Sequence, residues 1–232
     1  MIGPLLLFLS WLLLRAQGKG LDALGFNQPV VRLRQFTAGF ALTACAASLQ
    51  QIGYAHAAGT SWVLNPAYSV ELLLDSLRWN VNSVLFEELL FRGYLMFQAI
   101  HAIGERRAIL LDAVAFGVYH WFTYGVIGNP VAMVYVLIST GLFGLMFAVA
   151  FTRTGSLALP VGLHLGWNLA SNVLFSAGPL GAVVLVAADG ARRLGAQGGL
   201  GALCKFALPI AIVALVCWRL GRPRPVDVQL SR

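Results

Sequence analysis

Charge is scarce in this chain. Only 11% of its 232 residues are charged, 59% are hydrophobic, and the mean hydropathy is +0.78. A soluble domain with so little charge would lack a surface to present to water. The composition is that of helices that cross a bilayer. Cysteine is equally sparse. Cys45, Cys204 and Cys217 lie in apolar runs without paired spacing. That argues against a disulfide framework or a zinc knuckle and leaves packed thiols. Acidic residues number 9 against 16 Lys and Arg, for a net charge of +7. The cations cluster in short groups between apolar runs, as in cytoplasmic membrane loops, and not as a nucleic-acid surface. There is no internal repeat, and no H-E-x-x-H of a zinc hydrolase.

The apolar runs predict an all-α polytopic bundle of roughly six to eight transmembrane helices, with residues 1–232 as one domain. Ile2–Leu14 reads as a short first helix. Arg15 and Lys19 follow it, whereas a signal peptide carries its positive charge first. Phe36–Tyr54, Ala108–Phe122, Val131–Thr152, Leu157–Phe175 and Leu203–Leu220 read as spans. Ser61–Val84 is ambiguous. Glu71, Asp75, Arg78, Asn80 and Asn82 interrupt it, yet Val70, Leu73, Leu74 and Leu77 share a helical face. It either lies at the interface or opens a long helix running into Leu85–Ile103. Gly104–Arg107 reads as a polar turn, Leu180–Ala188 as apolar but too short to span alone, and Gly195–Gly201 as a hinge. Placing Arg15–Arg34, Arg106, Arg107, Arg153 and the arginine-rich tail inside puts the C-terminus in the cytoplasm.

Three polar constellations stand inside apolar helices. The first is Phe86-Glu87-Glu88-Leu89-Leu90-Phe91-Arg92-Gly93. Ionisable groups at membrane depth are expensive, so each needs a partner or a job. Glu88 and Arg92 are i,i+4 with the acid first, the favoured order for an ion pair. Glu87 points about 100° away. This predicts that Arg92 holds Glu88 while Glu87 is free to act. The second is Phe116-x-x-x-His120, and the third His164-x-x-x-Asn168, whose ends share one helix face. Gly162 and Gly166 lie on roughly the opposite face, a small-residue packing edge behind a polar front. At 1.5 Å per residue, Glu87, His120 and Asn168 sit about 20–30 Å along their helices from the nearest inside turn. All three constellations can therefore meet. His56 reads as interfacial and His101 as structural; Trp11, Trp62, Trp79, Trp121 and Trp218 read as interfacial anchors.

E-E-x-x-x-R, F-x-x-x-H and H-x-x-x-N, in that order and each in an apolar helix, resemble the CAAX-protease and bacteriocin-processing (CPBP, Abi) family of intramembrane proteases. The resemblance covers a core of about Val84–Phe175. It implies that Glu87 is the general base activating a water, with His120 helping to position that water. It implies that His164 and Asn168 stabilise the oxyanion, with Glu88 and Arg92 as structural support. A carboxylate in a low-dielectric cavity is suited to accept a proton near neutrality, and Asn and His are suitable oxyanion donors. Phe116 and Trp167 read as cavity walls.

Two His and a Glu also match zinc chemistry, which would make Glu87, His120 and His164 the ligands. Asn168 is a poor zinc ligand, however, and a metal-free, carboxylate-activated water uses all four residues. That is the preferred reading, with no cofactor required. The expected partners are the lipid bilayer and a hydrophobic or lipidated peptide, prenylated or not. A transporter or a catalytically silent scaffold would use the same polar cavity. A transporter's usual inverted repeat or paired broken helices are not seen.

Overall fold

In the computed structural model, residues 2–190 and 198–221 are described. Helix α1 is Gly3–Arg15 and α2 is Pro29–Ala57. Pro29 suits the first turn of α2, because its missing N–H has no intrahelical partner there. Strand β1, Trp62–Leu64, comes next, and then α3, Val70–Arg92. Ser69 caps α3: its Oγ accepts from the Leu72 N–H at 3.1 Å. The ambiguous stretch therefore resolves into a strand, a loop and the opening of the helix that carries Glu87.

The apolar run after Glu87 does not continue as one helix. Gly93 has φ −78° and ψ −134°, and α4, Tyr94–Ile103, starts afresh after it. A Cβ at Gly93 would strike the Leu89 carbonyl. The expected turn at Gly104–Arg107 shrinks to Gly104 alone (φ +81°), and α5 runs Glu105–Thr123. Helix α6, Pro130–Thr154, is capped by Asn129 and ends at Gly155 (φ +59°). Helix α7, Ala158–Asn168, passes without a break into a π-helical turn, Leu169–Leu174. Such turns are frequent at functional sites. Strand β2, Leu185–Ala187, pairs antiparallel with β1, Trp62 opposite Ala187 and Leu64 opposite Leu185. Helix α8, Gly198–Ala202, a π turn over Leu203–Ala207, and α9, Leu208–Gly221, make one continuous run.

The all-helical expectation holds except for this small sheet, which Leu180–Ala188 helps to build. Asn65 ties the sheet down by donating to the carbonyls of Ala182 and Val183 at 3.2 and 3.1 Å. Trp62 packs edge-on against Phe175 at 5.0 Å. Of the expected six to eight spans, α6 and the run Gly198–Gly221 are by themselves long and apolar enough to cross a membrane. Helices α2 and α3 are long but carry Arg32, Arg34, Gln50 and Gln51, or Glu87, Glu88 and Arg92, which lower their hydropathy. Many of these polar groups face inward. Gln50, Gln51, Asn80, Glu88 and Arg92 are buried, whereas Leu49, Leu110 and Val131 are 61%, 62% and 81% exposed. An apolar exterior around a polar interior suits lipid surroundings. Arg192, Arg193, the start of the expected glycine hinge and the tail after Gly221 lie outside the described residues; Gly198–Gly201 is helical.

Two close helix pairings position the site. Gly162 and Gly166 of α7 lie against the backbone of α2, where a Cβ would collide with the Phe36 and Phe40 carbonyls. Thr43 of α2 donates to the Leu163 carbonyl at 2.7 Å. On the other side, Gly141 and Gly144 let α6 approach Ala113 and Phe116 of α5. Small residues allow such contact without a side-chain layer between the backbones. Gly166→Ala is therefore expected to destabilise the protein by about 1–3 kcal/mol through overpacking. Reversible unfolding in detergent, compared with wild type, measures this; unchanged stability would show that α2 and α7 are not in such close contact.

Candidate active site

The chemistry gathers where α3, α5, α6 and α7 meet. Glu87 and Glu88 leave α3 in different directions, and the two carboxylates acquire different environments. Glu88 is fully buried, and its Oε1 accepts from His164 Nδ1 at 2.8 Å and from Arg92 at 3.4 Å. Glu87 Oε1 accepts a long bond from Ser83 at 3.3 Å, while Oε2 is buried with no hydrogen-bond partner among the described residues. Towards that orphaned oxygen turn His120 Nε2, at 3.9 Å, and His164 Nε2, at 3.8 Å.

The outer nitrogens of both rings are committed. His120 Nδ1 lies 2.7 Å from the Phe116 carbonyl, and His164 Nδ1 lies 2.8 Å from Glu88. Both partners are acceptors, so each Nδ1 donates and a neutral ring carries its lone pair on Nε2. The convergent atoms are then a carboxylate oxygen and two imidazole nitrogens. At 3.8–3.9 Å they are too far apart for direct hydrogen bonds. One water at about 2.8 Å from each member of a pair spans such a gap. The donor types also suit zinc. Tetrahedral zinc, with bonds of about 2.0–2.1 Å, sets its ligands about 3.3–3.4 Å apart, about half an ångström closer than here. Among the described residues no group of three or more His, Cys, Asp or Glu is arranged to hold a metal ion. The donor chemistry fits zinc, and a zinc ion there would draw the three side chains about half an ångström closer than they stand.

Three of the four expected residues, Glu87, His120 and His164, are thus brought together. Asn168 lies one turn beyond His164, partly buried and without a side-chain hydrogen bond among the described residues. It falls between the His164–Glu88 bond and a second cross-link, Asn172 to Asn80 at 3.0 Å. The Phe116 ring lies 4.5 Å from the His120 ring and 6.0 Å from that of His164. Trp167 instead packs on Phe143 at 4.8 Å, and the ring stacked on His164 is Phe147, at 4.8 Å and 19°.

Arg92 serves more than Glu88. Their pair exists, at 3.4 Å, but Arg92 has a closer carboxylate in Asp112 of α5, at 2.9 Å. Arg92 also donates to the Gly144 carbonyl at 3.1 Å and faces the Phe116 ring at 4.4 Å. Asp112 belongs to none of the three motifs, yet the sequence carries a signal for it. It is a lone acid in an apolar span, placed i−4 from Phe116 and i−8 from His120, and an intramembrane acid calls for a named partner. Nothing in the sequence marked Phe147, one phenylalanine among several.

Residues 69–170 match the model of the Rce1-like family, described as type II CAAX prenyl endopeptidase Rce1-like. Over this stretch the chain is similar to that family. The matched residues include Glu87, Glu88, Arg92, Asp112, His120, His164 and Asn168, so the matched segment contains the polar cluster just described. No curated protein and no solved structure matches the chain. The match supports a protease of the CAAX type, a hydrolase belonging to a family of membrane proteins.

The buried cation should matter far more than a surface one. Arg92→Met would leave Glu88 and Asp112 without their cation and is expected to cost about 3–5 kcal/mol. Glu105→Gln, which removes the half-exposed partner of Arg153 at 3.3 Å, is expected to cost at most about 1 kcal/mol. Parallel denaturant titrations of the two variants compare these costs; equal losses would contradict the burial argument.

Proposed function

We propose that the chain is an intramembrane endopeptidase that hydrolyses a peptide bond with a water activated by Glu87 and His120, without a metal. The observation that carries this reading is the unpartnered Glu87 Oε2, facing two imidazole nitrogens across gaps of one water's width. A water there donates one proton toward Glu87 and the other toward His120 Nε2, and its free lone pair attacks the scissile carbonyl. Glu87 takes the first proton and later delivers it to the leaving amine, so the carboxylate is regenerated. His164 and Asn168 donate to the oxyanion as charge develops. His164 already donates from Nδ1 to Glu88, so to donate from Nε2 as well the ring must carry both protons, with Glu88 as counter-ion. The substrate we propose is a hydrophobic or lipidated peptide met at the bilayer. The chain is multi-pass, with its C-terminal tail in the cytoplasm.

Glu87→Gln keeps the shape and removes the base. It is expected to abolish cleavage of hydrophobic and prenylated peptides while the protein remains folded by circular dichroism. Asn168→Ala is expected to cost about 2.7–4 kcal/mol of transition-state stabilisation. That loss should fall on kcat with KM little changed, since the donor acts only once the oxygen is charged. Thorough chelation is expected to leave wild-type activity intact. Activity lost with zinc and restored by it would replace this mechanism and leave the protease assignment standing. A wild-type protein that cleaves neither peptide class would overturn the assignment itself.

A further inference from the structure

An open groove lies between α2 and α9, with α7 as its floor. Its volume is about 300 Å³, at the lower end of the range of about 300–1,000 Å³ for small-ligand sites. Helix α2 supplies Ala38 and Leu42, α7 supplies Leu159 and Leu163, and α9 supplies Leu215 and Arg219. The members of each pair are four residues apart, so each helix offers one turn of one face, about 6 Å long. The floor belongs to the apolar core, where Leu163 clusters with Val213 and Val216 of α9. No acidic side chain lines the groove, and Arg219 is its one charged lining residue.

The cation stands at one end. Arg219 is in the last turn of α9, while Ala38 and Leu159 lie near the starts of α2 and α7. Arg32 ties those two starts together by donating to the Thr154 carbonyl at 3.0 Å. Arg34 lies one turn before Ala38 on the same face of α2, which brings a second cation to the same mouth. Arg34 and Arg219 are both exposed, and neither side chain has an ion-pair or hydrogen-bond partner among the described residues. Trp218 also lines the groove and is 54% exposed. Such a ring beside arginines is what the headgroup level of a bilayer favours.

We propose that this groove binds one anionic phospholipid of the surrounding leaflet, its phosphate between Arg34 and Arg219 and part of one acyl chain along the groove. A guanidinium matches phosphate oxygens in a bidentate fork. Two cations without a protein anion favour a headgroup of net negative charge over a zwitterionic one. The leucine walls offer no hydrogen bonds and suit hydrocarbon, and their length holds a stretch of chain and leaves the rest in the bilayer. A second copy of this chain fits less well, because a two-fold contact here would bring arginine against arginine. The tail after Gly221 is also basic, with Arg222, Arg224 and Arg232 against Asp227. The site is independent of hydrolysis: Leu163 faces the groove, whereas His164 faces Glu87 and Glu88.

The test is native mass spectrometry of purified full-length protein in detergent, titrated with dioleoyl phosphatidylglycerol or dioleoyl phosphatidylcholine. Wild type is expected to take up one phosphatidylglycerol per chain, at least tenfold more tightly than phosphatidylcholine. Arg34→Gln and Arg219→Gln are each expected to weaken that binding about fivefold and to leave phosphatidylcholine unchanged. Arg106→Gln, which removes an exposed arginine at the start of α5, should change neither. Ala38→Trp fills the groove from an exposed position and is expected to abolish the single tight adduct with both arginines in place. Circular dichroism checks that each variant is folded. Equal binding of the two lipids overturns the proposal, as does an Arg106→Gln loss as large as that of Arg219→Gln, which would show net charge alone at work. A tight adduct that survives Ala38→Trp overturns it too. So does a wild-type dimer that takes up no lipid and is split by Ala38→Trp, which would make the groove an interface between two copies.

Discussion

The guanidinium of Arg92 is the constraint on which the rest of this interior depends. It is fully buried in a chain whose exterior is apolar. A lone cation in such a place would cost many kcal/mol, so the fold has to supply counter-charge from several elements. It does so with Glu88 from its own helix, Asp112 from α5, the Gly144 carbonyl from α6 and the faces of Phe91, Phe116 and Phe147. Satisfying Arg92 thus fixes how α3, α5 and α6 sit against one another. Gly144 contributes twice, with its carbonyl and with the missing Cβ that lets α6 close on Phe116.

Once that knot is tied, the site follows from it. Glu88, held at one end by Arg92, presents the same oxygen to His164. Helix α7 is pressed into place from behind by the Gly162 and Gly166 contacts with α2 and the Thr43 bond. His120 hangs from the same face of α5 that carries Phe116, its ring oriented by the Phe116 carbonyl. Glu87, one residue from Glu88 and directed elsewhere, is the acid that Arg92 does not reach and whose Oε2 has no hydrogen-bond partner among the described residues. Structural and chemical roles are thus divided between neighbouring residues by helix geometry: one carboxylate is neutralised and the other kept available.

Much of this was legible in the sequence, because it depends on local periodicity. The i,i+4 spacing predicted the Glu88–Arg92 contact, the common face of His164 and Asn168, and the glycine edge of α7. The depths counted along the helices set Glu87 and His120 level with Asn168, whereas the structure brings His164, one turn earlier on α7, to the other two. What was not legible depends on partners distant in the chain. A lone Asp112 announces that it needs a cation but not which one, and Arg92 already had a nearer claimant in sequence. Strands of three residues more than a hundred positions apart, Trp62–Leu64 and Leu185–Ala187, leave too little pattern to be paired from composition. The break at Gly93 was hidden inside an apolar run that reads as one helix.

The central claim is that water, and not a side chain, attacks the peptide bond, with Glu87 as its base. A single turnover of chelated wild-type protein in 18O-labelled water, followed by mass spectrometry of both product and enzyme, tests it directly. The account predicts one 18O atom in the new carboxyl terminus of the product and none in the enzyme peptide containing Glu87. Label in the Glu87 carboxylate would reveal a covalent acyl intermediate and contradict the account.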